Sequence, residues 1–363
     1  MADNMQFIAS LFDLATNVFV RYVKTLKTYS EYIPVTLYDS LLKASLKTNR
    51  LLSTRHILLS WPFRELSLVN CDDFKEEHAV ILAYSLYSTC KNLRVVDLTG
   101  CNIGIYGTTF ILTLVLGQAL PDVSKYCSKE DTTMHLPQPR LTIKTDCYIS
   151  RRNYSEFLDV LEGYGRHNFI VSYFYGIGLG QNGIRRILTK LHTVQAESVL
   201  GLDLQMNRLL DIKQDRSLWN FSNLQYLDLS YTALGLHTIC RILKHLESPL
   251  KHLLLNGIQS RRNFPPYFDF HKMMQFSCVQ RLERFELGSY FGEIGPDFFA
   301  FLRNCCGTLL VLSLRNNYLK DASIADLLKL LEPPFRVSTL YLDANTFSIA
   351  GVKLLRKCKN IVL

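Results

Sequence analysis

Catalysis needs nucleophilic or titratable side chains at spacings that let them converge, and this 363-residue chain offers few. It carries no Gly-rich phosphate loop ending in Gly-Lys-Ser/Thr, no Gly-x-Ser-x-Gly nucleophile turn and no His-Glu-x-x-His zinc helix. Its nine histidines are scattered, and no nucleophile stands at a recognisable spacing from a base. Gly176-Ile-Gly178-Leu-Gly180 is glycine-rich, but it closes a strand-like run instead of opening a helix, so it reads as a turn. The ten cysteines include no Cys-x-x-Cys pair, which argues against structural zinc, and Cys305-Cys306 reads as packing at an element boundary. The expectation is a protein that is not an enzyme and needs neither metal nor cofactor.

What remains is recognition chemistry. In Leu224-Gln-Tyr-Leu-Asp-Leu-Ser-Tyr-Thr-Ala-Leu234, Leu227 and Leu229 alternate with Tyr226, Asp228 and Ser230, the signature of a short strand with one buried and one open face. Comparable runs recur along the chain. Their middle outward positions read Ser67, Asp97, Thr142, Phe174, Asp203, Asp228, Leu254, Glu286, Ser313 and Tyr341. Four of these are acidic and none is basic, although Arg140, Lys144, Arg284 and Arg315 flank the column together with Glu65 and Asp343. Adjacent strands lie about 4.8 Å apart, so Asp203 and Asp228 would be neighbours whose like charges repel. An acidic seam in a chain of net charge +9 fits a basic or amine-rich peptide, with Asp97, Asp203, Asp228, Glu286 and Tyr341 as candidate partner-binding residues. Aspartate as ordinary filler of such strands is the competing explanation.

The elements that must hold this column are repeats. The last inward residues of the runs fall at 68, 98, 143, 175, 204, 229, 255, 287, 314 and 342, mostly near 28 residues apart. That length leaves room for a helix after each strand, as in Leu236 to Leu246 or Ile324 to Leu331. One such unit cannot bury its own leucines and needs neighbours. The LxxLxL runs at Phe63 to Cys71, Leu93 to Cys101, Val199 to Asn207, Leu224 to Thr232, Leu250 to Ile258, Leu282 to Tyr290, Leu309 to Asn317 and Val337 to Asn345 resemble long leucine-rich repeats of the ribonuclease-inhibitor class. That resemblance implies an α/β leucine-rich-repeat solenoid, a horseshoe of about ten strand-helix repeats over 63–363, with the acidic column on its concave face. Weaker repeats centre on Leu141 and Ile143, and on Tyr173 and Tyr175. Gly351 to Lys359 and Ile361-Val-Leu363 would close the array.

Residues 1–62 precede the repeats as a helical segment. A helix over 5–28 carries two apolar stripes, Leu11, Ala15, Val18 and Tyr22 on one side and Ile8, Phe12, Phe19, Val23 and Leu26 on the other, which implies packing on two sides. Ile33-Pro34 opens a second helix, to about Lys47, with Leu37, Leu41, Leu42 and Leu46 inward. A third piece, Leu51 to Leu59, ends at Trp61-Pro62. Ser10-Leu-Phe-Asp-Leu-Ala15-Thr-Asn-Val-Phe19 resembles the elongin-binding box of cullin-2 ubiquitin-ligase receptors, with Ala15 where that box has Cys and Phe19 where it has a small aliphatic residue. Ile33-Pro34-Val-Thr-Leu37-Tyr-Asp-Ser-Leu41 resembles the cullin-2 box. Receptors of this family, the PRAME type among them, place both boxes before leucine-rich repeats. The resemblance implies a substrate-recognition subunit that binds elongin C and cullin-2 through Leu11, Ala15, Phe19, Ile33, Pro34, Leu37 and Leu41. A plain N-terminal cap on a scaffold or inhibitor without ubiquitin chemistry is the alternative. The Pro-led helix also resembles an F-box, and a GTPase-activating repeat protein is a further class, for which no Arg or Asn stands out.

Composition sets outer bounds. Hydrophobic residues make up 48% and charged residues 20%, a globular balance. Without a dense Lys/Arg cluster, no nucleic-acid partner is expected. The N-terminus lacks a secretory pattern and the longest apolar run, Thr109 to Leu116, is too short to span a membrane, so a cytoplasmic or nuclear protein with reduced cysteines and unused sequons at Asn153 and Asn220 is expected. Two stretches interrupt the repeats. The run 121–139, rich in Ser, Lys, Asp and Thr, reads as an excursion loop. The stretch 259–276, with Arg261-Arg262 and Phe264-Pro-Pro266, reads as a packed loop replacing a helix, or as a basic and aromatic binding segment.

Overall fold

A computed structural model describes residues 11–88, 92–120, 140–210, 221–258, 267–290, 294–305, 307–332 and 337–363. Residues 5–10, the excursion loop 121–139, Asn220, Arg261, Arg262, Phe264 to Pro266 and Cys306 lie outside the described residues. The described residues form thirteen α-helices and eleven strands, four helices preceding the first strand, and the strands form one open parallel sheet in which strand order follows chain order. No helix among them is long and apolar enough to cross a membrane. The chain forms two compact units, residues 1–172 and 173–363.

The first unit opens with α1 (Leu11–Phe19) and α2 (Val23–Tyr29), followed by α3 (Tyr38–Lys47) and α4 (Leu51–Leu59). The expected single helix over 5–28 is thus broken at Val20 to Tyr22. Arg21 and Tyr22 donate to the carbonyls three residues back, Val18 and Phe19, which tightens and ends the helix. Val20 belongs to neither apolar stripe, yet it is fully buried and its carbonyl accepts from Ser53 Oγ on α4. Tertiary burial of Val20 and Leu26 has overridden the helical period. Pro34 stands just outside a 3-10 turn at Val35–Leu37, ahead of α3 rather than within its first turn.

Strand β1 (Glu65–Ser67), helix α5 (Glu76–Ser88), β2 (Val95–Leu98), α6 (Gly104–Leu116), β3 (Thr142–Ser150) and α7 (Tyr154–Leu161) complete that unit, together with the start of β4 (Asn168–Ile177). Helix α6 buries residues on nearly every side, because α5, α7 and β3 all pack on it. Gly107 permits the approach of α5: a Cβ there would stand 2.9 Å from Ala79 Cβ.

The second unit continues with α8 (Gly180–Gln195), β5 (Gly201–Asp203), β6 (Tyr226–Asp228), α9 (Leu236–Leu243), β7 (His252–Leu254), α10 (Tyr267–Met273), β8 (Arg284–Glu286), α11 (Pro296–Cys305), β9 (Val311–Ser313), α12 (Ile324–Lys329), β10 (Thr339–Tyr341), α13 (Ile349–Leu355) and β11 (Ile361–Val362). Leu202 and Leu204, Leu227 and Leu229, and Leu253 and Leu255 are all fully buried, each contributing about 1.5–3 kcal/mol. Asparagines bind successive turns together: Asn317 Nδ2 donates to Leu287 O (2.6 Å), and Asn345 Nδ2 to Leu314 O (2.9 Å). Helix α10 corrects the expectation of a loop throughout 259–276, since Phe270 packs against Phe298 and Phe301 of α11 at ring distances of 5.1 and 6.0 Å. The C-terminal Ile361-Val362 adds an eleventh strand, paired with β10.

Two registers differ from expectation. Val96 pairs with Ile143 and Leu98 with Thr145, so Lys144, not Thr142, occupies the outward position beside Asp97. Thr145, fully buried, fills a place that leucine holds elsewhere. In β4, Phe174 pairs with Leu202, so Phe174 faces inward and Tyr173 and Tyr175 face outward. The second inward place is Gly176, where a Cβ would stand 2.7 Å from Ile184 Cδ1, which already fills the space.

Candidate functional site

The N-terminal segment gathers its apolar side chains around one cavity of about 420 Å³. Ala15, Thr16 and Phe19 of α1 form one wall, Tyr29 and Tyr32 another, and Ile33, Pro34, Leu37 and Leu41 close it. Thr16 Oγ1 donates to Asp13 O within the helix (3.0 Å), which satisfies the hydroxyl locally and leaves the wall apolar. Leu41 is buried, Phe19, Ile33 and Leu37 are half-buried, and Ala15 and Pro34 are exposed. Six of the seven residues singled out from the two sequence boxes therefore share this cavity; the side chain of Leu11 lies outside the described residues. Around it Leu14, Val18 and Tyr22 are 52%, 51% and 62% exposed, and Tyr32 reaches 77%. Of the two expected stripes, the one holding Ala15, Val18 and Tyr22 faces solvent, while Leu26 of the other is buried. These exposed apolar side chains make the segment a candidate binding surface.

The outward column is less uniform than its sequence implied. In the first unit it runs Ser67, Asp97, Lys144. Lys144 Nζ stands 3.6 Å from Asp97 Oδ2, so the column contains a base that partly neutralises its acid. Asp146 lies nearby, buried, with Gly100 N–H donating to both its oxygens at 3.2 Å. Burial pushes its pKa to about 7, and Asp97 adds repulsion.

In the second unit the column runs Tyr175, Asp203, Asp228, Leu254, Glu286, Ser313, Tyr341, Val362. Asp203 and Asp228 sit side by side as expected, but they are enclosed, at 7% and 4% exposure, rather than open to a partner. Asp203 accepts from Gln205 N (3.1 Å) and Gln205 Nε2 (3.0 Å), and Asp228 accepts from Ser230 N (2.8 Å). Burial raises both carboxyls, Asp228 to about 6, and Asp203 and Glu286 add to the rise at Asp228. Beside the acids runs an aromatic row: Tyr173 meets Tyr226 at 6.3 Å, and Tyr226 meets His252 at 5.9 Å. Glu286 is half-buried, held by Arg284 Nε (2.7 Å) and Asn256 Nδ2 (2.9 Å). Tyr341 lies under the guanidinium of Arg315, 4.3 Å from its ring centre.

These acids are satisfied or neutralised by their own neighbours, whereas Ala15 and Pro34 at the N-terminal cavity are exposed. Among the described residues, no group of three or more His, Cys, Asp or Glu side chains is placed to hold a metal ion. Tyr175 and Lys144 were missed from sequence because polar or small residues replace the leucines that would have set the register.

No protein-family model matches the sequence, and no curated protein does. Among solved structures the chain is similar to one described as "Crystal structure of Rad7 and Elc1 complex in yeast", at 16% identity and a TM-score of 0.46, over 96% of this chain and 80% of that one. A similarity of that depth assigns no function.

Proposed function

We propose that this chain is a non-catalytic protein-interaction module, a leucine-rich-repeat solenoid of about ten repeats over 63–363 with an N-terminal adaptor segment over 1–62. Its role is substrate recognition for an elongin BC–cullin-2 ubiquitin ligase in the cytoplasm or nucleus. The observation that carries this is the cavity of about 420 Å³, into which Ala15, Phe19, Ile33, Pro34, Leu37 and Leu41 converge from two separate sequence boxes. Elongin C would cover the exposed face of α1 around Ala15, and cullin-2 would meet the segment opened by Pro34. The sheet face would take the substrate, with Asp97, Glu286 and Tyr341 the more accessible of the candidate residues and Asp203 and Asp228 the more buried.

Co-purification with elongin B/C and cullin-2 tests this. Wild type should capture both. Ala15→Arg, which puts a charge at an exposed cavity wall, should abolish elongin C capture without changing the circular dichroism spectrum. Failure of the wild type to capture either protein removes the ligase role and leaves the scaffold or inhibitor, for which the same fold suffices.

A further inference from the structure

Cys71 and Cys101 occupy the same place in adjacent repeats of the first unit. Each follows the last inward leucine of its strand and closes the same turn, Cys71 N donating to Leu68 O and Cys101 N to Leu98 O, both at 3.0 Å. The register that sets Glu65 beside Val95 and Ser67 beside Asp97 carries Cys71 beside Cys101 at the same offset. Backbone bonds continue it past the strand ends, with Leu68 N donating to Asp97 O and Asn70 N to Thr99 O, both at 2.8 Å. The approach stays close there: a Cβ on Gly100 would stand 3.3 Å from Asn70 Cα. Parallel neighbours about 4.8 Å apart fall within the Cα separation of about 4.4–6.8 Å that a disulfide spans.

The sulfur of Cys101 reaches across this gap. It donates to Leu68 O (3.0 Å), the carbonyl that also accepts from Cys71 N, and the Cys71 N–H in turn stabilises that sulfur. Such a bond to the preceding repeat accounts for Cys101, because asparagines do the same in the equivalent place: Asn207 Nδ2 donates to Gly176 O (2.7 Å) and Asn345 Nδ2 to Leu314 O (2.9 Å). It does not account for Cys71. Strand β1 is at the edge of the sheet, so among the described residues no preceding strand offers a carbonyl to that thiol. Cys71 is also half-buried, whereas Cys101 is enclosed. One sulfur is reachable from solvent, and the second waits behind it.

We propose that Cys71 and Cys101 are a peroxide-sensitive pair that closes into a disulfide and staples the first repeat to the second. Burial pushes the Cys101 thiol up to about 12, so Cys71 reacts first. The Cys71 sulfur attacks one peroxide oxygen, the O–O bond breaks, and a sulfenic acid and water form. The Cys101 sulfur, losing its proton, then displaces hydroxide from the Cys71 sulfur, which makes the S–S bond and a second water. The two thiols lose two electrons and the peroxide gains them. Closure costs Cys101 its bond to Leu68 O, so the second step is the slower one, and a dithiol reductant reopens the pair.

Peptide mapping of the full chain decides the matter. The protein is reduced, freed of reductant, exposed to hydrogen peroxide at neutral pH, alkylated under denaturation and cut with trypsin. Cys71 is the sole cysteine of peptide 65–75 and Cys101 the sole cysteine of peptide 95–125. These two peptides should be joined, and the link should vanish with dithiothreitol. Cys278, a buried sulfur that donates to Leu243 O (3.2 Å), should be alkylated as a thiol. With dimedone present, Cys101→Ser should accumulate the adduct on Cys71 several-fold above wild type, and Cys71→Ser should show none on Cys101. A serine at 101 can still donate to Leu68 O, so that variant keeps its turn. Thermal unfolding of wild type should shift upward after peroxide, and that of Cys71→Ser should not. The proposal is overturned if folded wild type gives no link between 65–75 and 95–125, if the link joins two chains instead of one, or if Cys71 advances to the sulfinic acid while Cys101 stays a thiol.

Discussion

Lys144 and Asp97 are partners because β3 joins β2 in a register that sets Lys144 beside Asp97, with Nζ 3.6 Å from Oδ2. The pair is loose, and both side chains are partly exposed. The firmer bonds of Asp97 are local: its Oδ1 accepts from Thr99 N (3.0 Å) and Thr99 Oγ1 (2.6 Å). Asp97→Ala should therefore cost about 1–2 kcal/mol in urea unfolding, and Lys144→Met less than about 1 kcal/mol. The reverse order would make the ion pair the dominant contact.

The sequence disclosed the sheet where leucine or phenylalanine holds both inward places, as at Leu227 and Leu229 or Phe285 and Leu287, since an apolar residue at alternate positions leaves one choice of face. It misled at β3 and β4, where buried Thr145 and Gly176 stand in those places and Tyr173 and Tyr175 offered a false alternation. The break between α1 and α2 was hidden for a similar reason: Val20 is buried by α4, a contact that no helical period encodes. Six of the residues lining the N-terminal cavity were named through the resemblance to the two receptor boxes, while Thr16, Tyr29 and Tyr32, which belong to neither box pattern, were not.

Gly201 makes room for a neighbour. A Cβ there would stand 2.1 Å from Tyr173 Cδ1, so the ring lies across the glycine on its way to Tyr226. Gly201→Ala should destabilise by about 1–3 kcal/mol through overpacking. In a Tyr173→Ala background the same change should cost much less. A double-mutant cycle with no coupling between the two sites would show that the ring does not depend on the glycine.

Asp228 should make the protein less stable at neutral pH than an amide would. Its folded pKa, about 6, lies above the ordinary value of 3.8, so between these values the folded chain binds the proton more tightly than the unfolded chain. The contribution of this group to stability is full below about pH 4, declines as pH rises to about 6, and stays absent above that. Asp228→Asn, whose oxygen can still accept from Ser230 N, should stabilise by about 1–3 kcal/mol at pH 7.5 and by nothing near pH 4. Buried His78, lowered to about 4, acts in the opposite direction as pH falls, so the test is the difference between variant and wild type across a pH series of urea midpoints. A constant difference at all pH values would reject the assignment to Asp228.

Asn317 joins turns of the second unit through its buried side chain. Its Oδ1 accepts from Tyr290 N (2.8 Å) while its Nδ2 donates to Leu287 O (2.6 Å), and its own backbone N–H donates to Asn345 Oδ1 (2.9 Å). Asn317→Ala strands both a backbone donor and a backbone acceptor in the interior, which should cost about 2–4 kcal/mol. Asn317→Asp keeps the acceptor but loses the donor and buries a charge, so it should be no less harmful at pH 7.5 and milder at low pH. Because each repeat rests on its neighbours, the loss should spread locally, and amide exchange should quicken first at Tyr290 and Asn317. Exchange that rises evenly through the whole chain would mean that Asn317 serves global stability and not this one junction.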